Sequence, residues 1–330
     1  MTVSKKKVFV TGGAGYVGAV LVPELLQKGY QVTVLDLMIY GEEVLNQHEN
    51  LVILKGDIRD KDLLEEAIPN HDSLIHLACI SNDPSFELNP KLGKSINLDS
   101  FRPLVEISKK NGVSRFIFAS SSSVYGVKEE KDVHEEMTLE PLTDYSKFKA
   151  DCEEILNEYS SDDFTTVIIR PATICGYSPR QRLDVVVNIL TNLAFHKREI
   201  TVFGGDQLRP NIHIKDMVEA YLLLLRAPKE KVQGKVFNAG YENQTVIELA
   251  QTVKEVIGED VNLVLSETDD NRSYHISSVK FHDELGFSAN HSIRDAIEEL
   301  KNAFEKGLLK NSFQDEKYFN IKRMQSINLE

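Results

Sequence analysis

The sequence predicts an α/β fold, with a doubly wound parallel sheet in the first half of the chain and a smaller α/β lobe in the second half. Short β-branched runs alternate with amphipathic stretches as far as Arg170, which is typical of parallel strands joined by helices. A glycine-rich turn follows the first of these runs. After Pro171 the alternation loosens, and no low-complexity linker separates the halves. We therefore expect two interleaved units, 1–170 and 171–330.

The individual elements follow from residue type and apolar period. Strands are predicted in the first half at Val8–Thr11, Val32–Leu35, Leu51–Leu54, Ser73–Leu77, Arg115–Ala119 and Thr166–Arg170. Helices are predicted between them at Tyr16–Lys28, Lys61–Ala67, Lys91–Asn111 and Asp144–Tyr159. The second half predicts helices at Leu183–His196, Lys215–Leu225, Val246–Ile257 and Ile293–Phe304, with strands at Thr201–Phe203 and Lys235–Asn238. The stretch 311–330 has no clear period and predicts no element.

Composition excludes several classes of function. The formal net charge of −13 argues against nucleic-acid binding, because no basic stripe could neutralise a phosphate backbone. No segment is apolar enough for a membrane span or a secretory signal. Cys79, Cys152 and Cys175 have neither disulfide nor metal-ligand spacing, so we expect buried free thiols and no metal site. These features favour a cytoplasmic protein.

The glycine-rich turn indicates a dinucleotide site. Gly12, Gly15 and Gly18 follow the first strand and open the first helix. Glycines there allow positive φ and let backbone N–H groups approach a pyrophosphate, as in Rossmann folds. Asp36 ends the second strand, where a carboxylate accepts both ribose hydroxyls and repels a 2′-phosphate, so the predicted cofactor is NAD.

Two further residues are predicted beside the adenine. Asp57 and Ile58 follow the third strand, whose carboxyl end lies at the same sheet edge. A simple turn role for Asp57 is the alternative interpretation.

A candidate catalytic group comes from the helix after the fifth strand. Tyr145 and Lys149 are four residues apart and therefore project from one helix face. A phenol has a pKa of roughly 10, and a nearby ammonium favours its ionised form, which makes it a better base. Ser121, which follows the fifth strand, can hold the oxygen of a substrate hydroxyl. Together these side chains predict oxidation of an alcohol by NAD.

The motifs resemble those of extended short-chain dehydrogenases/reductases of the NAD-dependent epimerase/dehydratase family. They are Thr11-Gly-Gly-Ala-Gly-Tyr-Val-Gly18, Gly56-Asp-Ile58, His76-Leu-Ala-Cys79, Asn97, Ser120-Ser-Ser-Ser-Val-Tyr-Gly126, Tyr145-x-x-x-Lys149 and Arg170-Pro171. The resemblance implies a nucleotide-diphosphate sugar as substrate. It also implies cofactor contacts from motif residues outside the glycines, namely Tyr16, Val17, Leu77, Ala78 and Asn97.

The resemblance also narrows the reaction. Dehydratases of the family carry an Asp-Glu pair where this chain has Ser122 and Ser123, so the acid and base for water elimination are missing. The favoured reaction is 4-epimerisation through a 4-keto sugar. A net 4-dehydrogenase or reductase is the alternative, and a 4,6-dehydratase or a non-catalytic NAD sensor is less favoured.

Substrate contacts are implied at Ser122, Arg209 and Arg272, because guanidinium can bond two phosphate oxygens at once. Asn188 is a substitute for a family asparagine whose position holds Thr173 here. The sequence allows two positions for Arg180 and Arg182: they could line the sugar or phosphate pocket, or they could belong to an exposed loop.

The resemblance further implies a homodimer formed by the helices after the fourth and fifth strands. The runs Leu92–Ile107 and Phe148–Leu156 have enough apolar positions, although helices buried within one chain would have the same pattern.

Overall fold

A central sheet of seven parallel strands organises the molecule. The computed structural model describes residues 6–81, 83–130, 132–268, 273 and 275–329. In spatial order the strands are β3 (Leu51–Lys55), β2 (Gln31–Asp36), β1 (Lys7–Thr11), β4 (Ser73–His76), β5 (Arg115–Ala119), β6 (Thr165–Pro171) and β10 (Lys235–Ala239). The fold class predicted from sequence is confirmed, and all six predicted strands of the first half agree within one residue at each end.

The described residues form helices on both faces of this sheet and in the second half of the chain. They are α1 (Gly18–Gln27), α2 (Lys61–Ala67), α3 (Asp83–Glu87), α4 (Pro90–Lys94), α5 (Phe101–Lys110), α6 (Asp144–Tyr159), α7 (Val186–Lys197), α8 (Ile214–Arg226), α9 (Lys229–Val232), α10 (Val246–Ile257), α11 (Val279–Leu285), α12 (Ile293–Glu305) and α13 (Asn320–Ser326). α1 and α8 pack against one face, and α2, α5 and α6 against the other. The apolar sides of these helices pack against the sheet, and the central strands β1, β4, β5 and β6 are therefore largely buried from solvent.

The predicted helix Lys91–Asn111 is wrong as a single element. The chain forms α4, then a π-helical turn over Ser95–Asp99, then α5. Pro103 lacks the N–H that a continuous α-helix would donate to Asp99, so the regular bonding pattern breaks there. The π turn faces the buried Asn97 inward.

The second half forms two small sheets that sequence patterning largely missed. One contains β7 (Thr173–Cys175), β9 (Leu208–His213) and β11 (Glu242–Thr245), and the other pairs β8 (Glu199–Phe203) with β12 (Asn262–Ser266). Four of these five strands were not predicted: β7 and β11 have only three and four residues, and β9 contains a proline, whereas the apolar run inside β12 was overlooked. Between β9 and β11 the chain passes through β10, which lies in the central sheet. The division at residue 170 stays a prediction.

A buried ion pair ties the central sheet to α6. Arg170 on β6 donates from Nε (3.0 Å) and Nη2 (2.6 Å) to the two carboxylate oxygens of Glu153. Its Nη1 donates to the Tyr125 hydroxyl at 2.7 Å. Glu153 also accepts from Ser120 Oγ. Every charged atom of this pair is therefore bonded inside the protein.

The outward surfaces of α5 and α6 are polar. Arg102 pairs with Glu158, and Tyr159 donates to Glu106. The apolar residues of both helices pack within the chain. The homodimer stays a prediction, because the apolar periodicity that motivated it is accounted for by this internal packing. Across the described ranges, no helix has the length and apolarity needed to cross a lipid bilayer.

Candidate functional site

A cavity of about 510 Å³ opens at the carboxyl edge of the central sheet. This volume is in the range of small-molecule sites, and this edge is where open α/β sheets bind ligands. Loops after β1, β2, β3, β4, β5 and β6 all contribute to its walls, and residues of β9, α8 and α13 complete them.

The glycine turn packs so closely on neighbouring backbone that two of its glycines leave no room for a side chain. Gly12 has φ +73°, and a Cβ there would lie 2.6 Å from the backbone nitrogen of Ala78. A Cβ on Gly18 would lie 2.4 Å from the carbonyl oxygen of Gly13. Gly12, Gly15 and Gly18 line the cavity. The turn therefore fits a dinucleotide, whose pyrophosphate would meet open backbone at the start of α1.

Tyr16 and Val17 also line the cavity, but the Tyr16 hydroxyl is turned into the protein. It donates to the Gly176 carbonyl at 2.6 Å and accepts from Asn188 Nδ2 at 3.0 Å. Burial raises the pKa of this phenol. Asn188 is buried and lies outside the cavity lining. In the structure, the Asn188 side chain is therefore hydrogen-bonded to Tyr16. The predicted contact between Asn188 and the substrate stays a prediction.

Asp36, which the sequence predicts to bind the ribose, lines the end of the cavity predicted for the adenosine. It accepts from the backbone N–H groups of Ala14 (2.9 Å) and Met38 (2.8 Å). Burial raises its pKa, and these two bonds oppose the shift. The remaining lone pairs of the carboxylate can accept ribose hydroxyls.

Asp57 and Ile58 line the same end. Asp57 accepts from the Arg59 guanidinium through both carboxylate oxygens (Nε–Oδ1 3.1 Å, Nη2–Oδ2 2.7 Å) and also accepts from the Arg59 backbone N–H. Burial acts to raise the Asp57 pKa, but the Arg59 bonds outweigh it and the pKa is lowered. Asp57 therefore both stabilises the turn after β3 through its bonds to Arg59 and lines the cavity.

Two of the remaining implied cofactor residues, Leu77 and Ala78, lie in the loop after β4 and line the cavity. Asn97 lies outside the lining, and its amide exchanges two hydrogen bonds with the backbone of Ile80 (2.8 and 2.9 Å). It therefore holds this loop in place. Cys79 is half-buried and lines the cavity, so the expectation of burial is wrong for this thiol alone.

Ser121, Tyr145 and Lys149 converge on the cavity. A capping box fixes the start of α6: Thr143 Oγ1 accepts from Ser146 N, and Ser146 Oγ accepts from Thr143 N at 3.1 Å. Lys149 Nζ donates to the Ala119 carbonyl at 2.6 Å and lies 5.9 Å from the Tyr145 ring centroid. A positive charge at this distance favours a phenolate.

Of the implied substrate residues, Ser122 and Arg209 line the cavity. Ser122 begins a short 3₁₀ turn that ends at Tyr125. Arg209 lies on β9, with Nη1 donating to the Leu208 carbonyl at 3.0 Å. Arg272 lies outside the described residues.

One wall of the cavity contains Arg180 and Arg182, whose role the sequence left open, together with three residues that the sequence did not predict. This wall is lined by Tyr40, Arg180, Arg182, Asp184 and Asn320. The exposed-loop alternative for Arg180 is wrong, since only 4% of it is exposed. Asn320 carries no recognisable motif, and only its contacts across the fold reveal it. Within the described chain, no three His, Cys, Asp or Glu side chains cluster as a metal site would require.

Known proteins with similar sequences and structures belong to one family of NAD-dependent enzymes. Residues 8–240 match the model of the NAD dependent epimerase/dehydratase family. The dTDP-glucose 4,6-dehydratase of Streptomyces niveus is 27% identical over 316 residues, covering 89% of this chain and 91% of that protein. UDP-glucose 4-epimerase GEPI48 of Cyamopsis tetragonoloba is 27% identical over 323 residues, covering 88% and 92%.

The structure of UDP-glucose 4-epimerase from Thermotoga maritima with UDP-glucose has a TM-score of 0.84 at 26% identity, covering 92% of this chain and 99% of that one. The resemblance and the cofactor predicted from sequence are confirmed. The chain therefore belongs to the NAD-dependent epimerase/dehydratase family, and it is an NAD-dependent enzyme of the sugar-nucleotide epimerase or dehydratase class.

Proposed function

We propose that the chain interconverts C4 epimers of a nucleotide-diphosphate sugar by oxidising and then reducing C4. The observation that carries this proposal is the chemistry of the two positions after Ser121. Ser122 and Ser123 line the cavity there, and neither hydroxyl can serve as a carboxylate acid or base. Water elimination needs such a pair, whereas epimerisation does not.

The carboxylates among the described lining residues are Asp36, Asp57 and Asp184. Asp36 and Asp57 belong to the predicted adenosine end, and Asp57 is bonded to Arg59. Asp184 pairs with Arg182 at 2.8 Å. Each of these acids thus already has hydrogen-bond partners within the protein, which supports a reaction that needs only the tyrosine as base.

In the proposed mechanism, Tyr145 removes the proton from the C4 hydroxyl, while Ser121 Oγ holds the same oxygen. Lys149 keeps a positive charge beside the Tyr145 ring, and its bond to the Ala119 carbonyl fixes that charge at the sheet edge. The glycine turn and Asp36 would hold NAD, which would supply the acceptor and donor of the C4 hydride. The sugar is left as a 4-keto species, and Tyr145 gives back the proton when the opposite face is reduced. Arg209 and Arg272 are proposed to hold the nucleotide diphosphate.

The test is incubation with UDP-glucose or dTDP-glucose without added nicotinamide cofactor, with products identified by NMR. We expect the C4 epimer of one of them and no net NADH. A 4-keto-6-deoxy product would establish a dehydratase instead. Stoichiometric ketone with NADH would favour the net dehydrogenase, and NAD binding without any turnover would favour the sensor.

The variant Tyr145→Phe tests whether Tyr145 is the base. Losing the general base should lower turnover at least about 100-fold, while NAD still binds. Tyr241→Phe is the matched control, because Tyr241 is 53% exposed and lies outside the cavity lining. Unchanged turnover in Tyr145→Phe would refute the proposed mechanism.

A further inference from the structure

One buried arginine at the cavity has unsatisfied donors. Arg180 is 4% exposed, and its Nε and Nη1 make no hydrogen bond within the described chain. Its Nη2 donates to Asn320 Oδ1 at 2.6 Å. No carboxylate of the described residues lies within ion-pair distance of it. Burying a guanidinium in this state costs free energy unless an anion compensates it.

The position of Arg180 indicates which anion would do so. Its loop packs directly on the glycine turn: Tyr16 donates to the Gly176 carbonyl, and Ser178 Oγ donates to the Tyr16 carbonyl at 2.8 Å. The Arg180 guanidinium stacks on Tyr40, with its carbon 3.4 Å from the ring centroid. Tyr40 lies four residues after Asp36. The guanidinium is therefore between the pyrophosphate end and the ribose end of the predicted dinucleotide site.

A residue from the end of the chain fixes this arrangement. Asn320 is 3% exposed, and its Oδ1 accepts from both the Tyr40 hydroxyl (2.9 Å) and Arg180. Its Nδ2 donates to Ser81 Oγ at 2.9 Å, and its backbone N–H donates to Asp184 at 2.8 Å. Three loops of the cavity are thus joined through one amide.

We propose that Arg180 binds the diphosphate of NAD through its Nε and Nη1, and that Asn320 positions its guanidinium for this contact. Charge-assisted bonds to phosphate are among the strongest hydrogen bonds in proteins. A bound diphosphate would also neutralise the buried charge, so cofactor binding and loop order reinforce each other. The inference rests on NAD as the cofactor and is independent of whether the reaction is epimerisation.

The same chemistry could come from the diphosphate of a sugar nucleotide, so the experiment separates the two sources. Binding of adenosine, ADP and NAD to the NAD-free full chain is measured by calorimetry, and binding of UDP is measured on the NAD-loaded chain. For Arg180→Met, we expect ADP and NAD to bind roughly 10- to 100-fold more weakly, with adenosine and UDP within about twofold of the wild type. Arg226→Met, on the partly exposed surface of α8, is the control and should change none of these affinities.

Three results would overturn the assignment: unchanged ADP and NAD affinity, a loss for adenosine as large as for ADP, or a loss confined to UDP. If Arg180→Met does not fold, Arg180→Lys answers the same question, since it keeps the charge but removes the forked donors.

The positioning role has its own test. Asn320→Ala should weaken NAD binding severalfold in the wild type and not at all in the Arg180→Met background, because its effect passes through Arg180. Gln325→Ala, an exposed amide on the same helix α13, is the matched control. Equal losses in both backgrounds would show that Asn320 acts independently of Arg180.

Discussion

Arg170 and Arg180 are both only 4% exposed, yet their surroundings differ. Arg170 lies behind the catalytic edge, with Glu153 on two of its nitrogens and Tyr125 on a third. Arg180 lies in the cavity wall with two nitrogens unbonded. The partners of Arg170 raise its pKa further despite burial, whereas burial lowers the pKa of Arg180 to about 10. Burial alone therefore does not show that a charged side chain has a purely structural role. What shows it is whether each of its nitrogens has a hydrogen-bond partner within the protein.

His76 on β4 is a third case, in which a buried ionisable group is kept neutral. Burial and the nearby Lys149 lower its pKa to about 3. Its Nδ1 lies 2.7 Å from Thr11 Oγ1, and its ring packs among Phe101, Phe116 and Phe118. A histidine can lose its proton to avoid the cost of burial, but an arginine cannot.

The largest effect is expected from breaking the Arg170 pair. Arg170→Met should lower the free energy of unfolding by about 3–5 kcal/mol, because Glu153 is left as an unpaired buried carboxylate. Urea unfolding followed by circular dichroism measures it. Replacing Glu153 with Leu as well should recover much of that loss, and failure of the double variant to recover would show that the charge was not the cause.

A pH-dependent effect, smaller than that of Arg170→Met above about pH 5, is expected from His76. The unfolded imidazole takes up a proton below about pH 6.5 while the folded one stays neutral, so stability is lost as the pH falls from 6.5 towards 3. The slope should approach about 1.4 kcal/mol per pH unit. His76→Asn, which can keep a bond to Thr11 but does not titrate, should flatten this part of the stability profile. An unchanged slope in the variant would assign the pH dependence to other groups.

The smallest effect is expected from Arg180 in the NAD-free chain. Arg180→Met should change the free energy of unfolding by no more than about 1 kcal/mol, because the lost bond to Asn320 is offset by removal of an unpaired buried charge. The contrast with Arg170→Met is the result to measure, in the same urea titration. Comparable losses in the two variants would remove the distinction between the two arginines.

Local patterns predicted the parts of the molecule that depend on near neighbours along the chain. The six strands of the first half were identified because each is short, β-branched and bounded by turns. The glycine turn and the Tyr145–Lys149 pair follow from spacing alone. The break in Lys91–Asn111 was missed, although Pro103 signals it locally. The strands β7 and β11 were missed because they have only three and four residues, and β9 because it contains Pro210, which is rare inside strands. The strand β12 was missed although its apolar run Leu263–Leu265 signals it locally.

By itself, the sequence determined the strands of the central sheet, the glycine turn at the start of α1 and the proposed catalytic side chains, since each is specified by residue type over a few positions. Only the tertiary structure decided which arginine is satisfied and which is not. Asn320 and Arg180 are 140 residues apart, and Arg170 meets Glu153 across 17. Such contacts depend on how helices and loops pack against the sheet, and no local spacing in the chain encodes that packing.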